Sequence, residues 1–155
     1  MLLPPTNYVG SQTLDILSHM RNDEVYRAAV SDPLIMQFAH KLTIKHYSDA
    51  SKHDHVRCKI TELGHQLLQL KKDGISEMAD AVDPLHFQKA VSRICGVCGF
   101  DHEKNTFSSA SLALKLGHSL KKCTMSVIAE ALQTTNKTRG KGKCLYQDVR
   151  NGVVQ

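Results

Sequence analysis

The sequence predicts an all-α fold: a single orthogonal or irregular bundle of about six helices, followed by a mobile basic C-terminal tail. Three observations carry this expectation. Apolar residues recur at steps of three and four in several segments, which puts them on one face of a helix. Asp-Pro pairs stand where two such segments begin, and an aspartate cap followed by proline at the first helical position is a start signal. Nothing alternates with period two over a useful length, and no internal repeat is present. The expected organisation is an irregular lead-in over 1–10, a helical domain over 11–134 and a basic flexible tail over 135–155.

Taken in order, Pro4-Pro5 and Gly10 mark the lead-in. A short helix is expected from about Gln12 to Met20, with Leu14, Ile16 and Leu17 apolar. A second opens near Asp23, where Asp23 and Glu24 suit the positive end of the helix dipole. Asp32-Pro33 opens a third, whose Leu34, Ile35, Phe38, Ala39 and Leu42 lie within one arc of roughly 140°. The strongest pattern is residues 52–72, where Val56, Ile60, Leu63, Leu67 and Leu70 form one narrow stripe. Gly64 sits beside that stripe. A helical glycine costs ~1 kcal/mol against alanine, so close approach of another helix is expected there. Lys71-Lys72 and then Gly74 end the segment.

Asp83-Pro84 predicts a fifth helix with Phe87, Val91, Ile94 and Cys98 on one face, stopped by Gly99. FDHEKNTF then reads as a loop, and Ser108 or Ser109 as the cap of the last long helix. On that helix Leu112, Leu116, Leu120, Cys123 and Val127 make the main apolar face. Leu114, Met125 and Leu132 make a second stripe nearly opposite. A helix apolar on two sides is either central in a bundle or offers one stripe to a partner; burial in the core is the favoured expectation. After Thr135 the periodicity is lost.

Composition narrows the function classes. With 155 residues, 41% hydrophobic and 23% charged, the chain fits one ordinary globular domain. No apolar run approaches the ~18 residues that suggest a membrane span, so no membrane partner is expected. MLLPPTNYVG lacks a positive n-region and an apolar h-region, which predicts an intracellular, possible nuclear location. The cysteines Cys58, Cys95, Cys98, Cys123 and Cys144 then read as reduced thiols. The net charge is +5, but it is uneven. Residues 135–155 carry Lys137, Arg139, Lys141, Lys143 and Arg150 against Asp148, so the helical domain is nearly neutral.

Cys95-Gly-Val-Cys98 has a zinc or redox spacing. His118 and Cys123 would complete a set of four, but five residues on a helix separate them by about 140° around the axis. Cys98 falls on an apolar face, where a thiol behaves as a small hydrophobe. His102 would leave a set one ligand short. Core cysteines are therefore the favoured reading, and neither metal nor cofactor is expected. His40, His46, His53 and His55 cluster around one turn, where metal binding or pH sensing competes with exposed polar filling; the latter is favoured. Lys41, Lys45, Lys52 and Lys59 are offset by Asp49, Asp54 and Glu62 and read as a solvated face. No nucleophile elbow, Walker loop or H-E-x-x-H is present.

Two stretches, LIMQFAHKL with HVRCKITELGHQLLQLKK and FQKAVSRICGVCGFDHEKNTFSSASLALKLGHSLKKC, carry a resemblance. They resemble the helical region of largely uncharacterised, transposon-derived animal proteins in which it precedes a tyrosine recombinase-like segment. The phrases TELGHQLLQLKK and SLALKLGHSLKK carry most of the likeness, over about residues 15–130. The resemblance implies a domain comparable to the core-binding part of tyrosine recombinases, which clamps one side of DNA, and implies no catalytic site. Such enzymes need an arginine cluster, a His-x-x-Arg element and a nucleophilic tyrosine. Here the nearest approach is His118-x-x-Lys121, and Tyr146 lies in the basic tail. The expectation is thus a non-catalytic helical DNA-binding module, a truncated remnant of a mobile-element protein and not an enzyme. Contacts to DNA are expected from Lys115, Lys121, Lys122, Lys137, Arg139, Lys141 and Lys143. The competing expectation is a helical module that binds another protein or itself, through the second stripe.

Overall fold

The computed structural model describes the backbone of residues 10–150 and the side chains of residues 10–136. The fold is all-α. Its helices are α1 (Ser11–Ser18), α2 (Glu24–Ser31), α3 (Pro33–His46), α4 (His53–Lys71), α5 (Met78–Ala81), α6 (Phe87–Val97) and α7 (Ala110–Arg150), with a 3-10 turn at Ala50–Lys52 before α4. Two compact units divide the chain, Met1–Cys123 and Thr124–Gln155, with α7 belonging to both.

In the first unit α4 is the hub, packed against α1, α2, α3 and α6. Its stripe of Val56, Ile60, Leu63, Leu67 and Leu70 is buried throughout. Each such side chain stabilises the fold by about 1.5–3 kcal/mol relative to exposure. Gly64 lies where α2 crosses. A Cβ at that position would meet the Val25 carbonyl oxygen at 2.8 Å and Val25 Cγ1 at 2.9 Å. The close α2–α4 approach thus offsets the helix-propensity cost of the glycine.

The caps follow from the aspartates. Asp23 accepts from Tyr26 N at 3.0 Å and starts α2. Asp32 is buried and does two jobs. Its Oδ1 accepts from Ile35 N at 2.9 Å, capping α3 ahead of Pro33. Its Oδ2 accepts from Met78 N at 2.7 Å, at the start of α5. Gly74 at φ +81° and Gly99 at φ +66° close α4 and α6 in the left-handed conformation that glycine adopts without strain. Asp73 at the end of α4 is held by the guanidinium of Arg93 on α6, with Nε 2.6 Å from Oδ2. That guanidinium keeps the Asp73 carboxyl below its usual range.

Four sequence expectations need correction. The helix expected to open at Asp83-Pro84 begins at Phe87. Asp83 Oδ1 accepts from Leu85 N at 2.8 Å, two residues on, so the aspartate closes an Asx-type turn and does not cap a helix. Within α6 the buried residue is Ala90, while Phe87 is exposed. FDHEKNTF is not irregular: Phe100–Asp101 pairs antiparallel with Thr106–Phe107, residue 100 opposite residue 107. The Phe100 and Phe107 rings meet at 4.7 Å, and Asp101 accepts from the backbone of Glu103 and Lys104.

The fourth correction concerns the second stripe of α7. In the first unit Leu116, Ser119 and Cys123 are buried, while Leu114 is 66% exposed. In the second unit Met125, Ile128 and Leu132 are 59%, 53% and 59% exposed. The expected core burial of Leu114, Met125 and Leu132 does not occur. The helical backbone also continues to Arg150, past the loss of periodicity at Thr135.

Candidate nucleic-acid interface

Helices α3 and α4 are joined by the short 3-10 turn, so the end of α3 and the start of α4 share one corner. Asp49 holds that turn, accepting from Ser51 N at 3.1 Å and from Ser51 Oγ at 2.5 Å. The Ser51 bond keeps Asp49 below its usual range. His53 donates through Nε2 to the Tyr47 carbonyl at 2.9 Å and stacks on the Tyr47 ring. The corner therefore has a defined shape, and His46 and His55 meet edge to face across it at 5.9 Å.

Around this corner the basic groups that act on His55 come from the turn, from α3 and from α4. Lys52 and Lys59 both act on His55, as does His46. Burial first, and then these basic neighbours, push the His55 proton off below the ordinary imidazole range; Glu62 opposes them. Lys59 reaches Glu62 Oε2 at 3.9 Å, and Lys115 of α7 reaches Glu62 Oε1 at 3.9 Å. One carboxylate is thus shared by two ammonium groups from different helices. At that spacing the attraction is Coulombic and worth little near solvent, so Lys115 keeps an exposed head.

Cys123 of α7 lies near Asp32, which caps the other end of α3, and near Lys41. Its thiol is fully buried and pushed up to about 12, by burial and then by the Asp32 carboxylate, with Lys41 acting in the opposite sense. Lys121 and Lys122, beside it in sequence, are exposed. Chemically this face offers ammonium and imidazole groups at helix corners, which suits phosphate oxygens without specifying bases.

Of the residues expected to contact DNA, Lys115, Lys121 and Lys122 lie on one stretch of α7 in the first unit. The side chains of Lys137, Arg139, Lys141 and Lys143, with Tyr146, lie outside the described residues. Sequence reasoning missed that Lys52, Lys59, His46 and His55 come together at one corner. A signal existed: Lys52, His55 and Lys59 are spaced at three and four. Of the three carboxylates expected to offset these lysines, Asp49 acts with Lys52 and Glu62 reaches Lys59, while Asp54 pairs with Arg57 at 2.5 Å.

The cysteine pair is structural in its surroundings. Cys98 caps α6 with its thiol buried, and burial pushes it up. Cys95 is half-buried, and His102 packs on the Phe100 ring at 4.8 Å. Among the described residues no group of three His, Cys, Asp or Glu side chains is placed to hold a metal ion. Among them, too, no helix is long and apolar enough to cross a membrane. No protein-family model matches this chain, and no curated protein or solved structure matches it.

Proposed function

We propose that the chain is a non-catalytic helical DNA-binding module. The observation that carries this reading is the shared carboxylate: Glu62 answers both Lys59 and Lys115, beside Lys52, His46 and His55. Three lysines, Lys52, Lys59 and Lys115, thus stand against the two carboxylates of Asp49 and Glu62. Residues 137–143 hold three further lysines in sequence. The resemblance to the helical part of transposon-derived recombinase-like proteins points the same way, with nuclear residence part of the same proposal.

Such a face binds the phosphate backbone, so binding should be insensitive to sequence and steeply dependent on salt. About four phosphate contacts predict roughly a hundredfold weaker binding between about 50 and 200 mM salt. Lys115→Gln should weaken binding to every duplex alike and lower the salt slope by about one. An anisotropy titration checks both, and absence of binding at the lowest salt sinks the reading.

A second reading, self-association, is favoured by Met125, Ile128 and Leu132, which lie at steps of three and four and are exposed. Residues 124–136 hold a single charge, Glu130, so two copies could meet there without like-charge repulsion. Sedimentation should then show a concentration-dependent dimer that Met125→Glu abolishes. A monomer at the highest concentration excludes it.

A further inference from the structure

His46 and His55 are two protonatable rings packed edge to face at the α3–α4 corner. The third histidine of the corner, His53, is committed to the Tyr47 carbonyl and ring. His46 and His55 instead face each other at 5.9 Å. The charged groups acting on the pair are Asp49 and Lys52 from the 3-10 turn and Lys59 and Glu62 from α4, with Lys115 of α7 reaching Glu62 and Asp54, next to His55, paired with Arg57. Asp49 is bound to Ser51, and Glu62 is drawn to the two lysines. The imidazole of His55 therefore meets cations more than anions, and its charged form is disfavoured in the free protein.

An anion placed against Lys52 and Lys59 reverses that balance. It cancels the repulsion, and a protonated ring gains a charge-assisted hydrogen bond to it. We propose that His46 and His55 gate the nucleic-acid surface by protonation, binding backbone phosphates as imidazolium ions. This rests on the DNA-binding reading. Linkage then requires that DNA binding takes up protons, because a ligand that favours the protonated state is itself favoured by acid. Duplex affinity rises as pH falls through the imidazole range, from about pH 8 to about pH 5.5. The rise is roughly tenfold for a one-unit difference in ring pKa between free and bound protein. The salt dependence steepens with it, by about 0.9 in slope for each additional phosphate neutralised.

The test is the affinity of the full chain for a short random-sequence DNA duplex, measured by anisotropy across that pH range at fixed ionic strength. The wild type should bind about tenfold more tightly at the acid end. His46→Asn/His55→Asn should keep the alkaline affinity and lose the rise, while His65→Asn, elsewhere on α4, should keep the wild-type profile. The single variants His46→Gln and His55→Gln each remove part of the rise, so the answer does not depend on the double variant folding. A flat wild-type profile, or a rise that survives in the double variant, overturns the gate and leaves the DNA reading standing. No binding at any pH and low salt overturns the DNA reading, and the gate with it.

Discussion

Asp32→Ala is expected to lower the unfolding free energy by about 2–4 kcal/mol. The carboxylate is buried and accepts two backbone N–H groups, from Ile35 and Met78. Alanine removes both acceptors at once. Loss of the α3 cap costs ~1 kcal/mol, and a buried donor left without a partner costs a further ~1–3 kcal/mol. Asp32→Asn keeps one acceptor oxygen and turns the other into a donor, so about half the loss should return. Urea unfolding followed by circular dichroism reads this directly. A loss below ~1 kcal/mol for alanine would mean that α5 is not anchored through Asp32. The bond to Met78 spans far along the chain, so it ties the start of α3 to α5, a helix of only four residues whose Met78 and Ala81 are buried.

Gly64→Val should be the second severe change, with a loss of about 3 kcal/mol or more. The first added carbon already lands 2.8 Å from the Val25 carbonyl oxygen and 3.3 Å from Ala29 Cβ. Backbone atoms cannot rotate away, so α2 must shift. Gly64→Ala separates the two effects involved. Alanine gains ~1 kcal/mol in helix propensity, and overpacking costs ~1–3 kcal/mol, giving a net loss of about 0–2 kcal/mol. Valine adds volume to the same clash without gaining comparable propensity. Thermal unfolding of the two variants checks the order. A stabilised alanine variant would show that α2 yields easily and that the α2–α4 crossing is looser than the geometry requires.

Much of the fold was legible because it rests on periodicity and local caps. The α4 stripe, the Asp32-Pro33 start, the glycine stops and the close approach at Gly64 are all events within a few residues, or on one face of one helix. What was not legible depends on partners distant in sequence. Asp83-Pro84 has the form of a helix start, yet Asp83 commits its carboxylate to Leu85 N. Two residues per strand are too few for alternation to register, so the pairing of Phe100 with Phe107 could not be read. The apolar second stripe of α7 looked like core because composition cannot say how many faces of a helix find neighbours.

The candidate surface divides in the same way. Lys115, Lys121 and Lys122 stand out in a linear reading because they share a helix with little acid nearby. Lys52 and Lys59 were set against Asp49, Asp54 and Glu62, which holds for Asp49 and Glu62 but not for Asp54. Asp54 is turned to Arg57, whereas Glu62 is claimed twice. His46 and His55 are nine positions apart and meet only because the 3-10 turn reverses the chain.

The double claim on Glu62 sets two demands against each other at a single position. Its carboxylate draws α7 towards α4 through Lys115, and the same charge subtracts from whatever attraction the face exerts on a polyanion. Neutralising it would strengthen the grip on an anion while loosening the attachment of the helix that presents Lys115. The loss on the side of the helix is small, because the buried Leu116, Ser119 and Cys123 also hold α7 and an exposed pair contributes little.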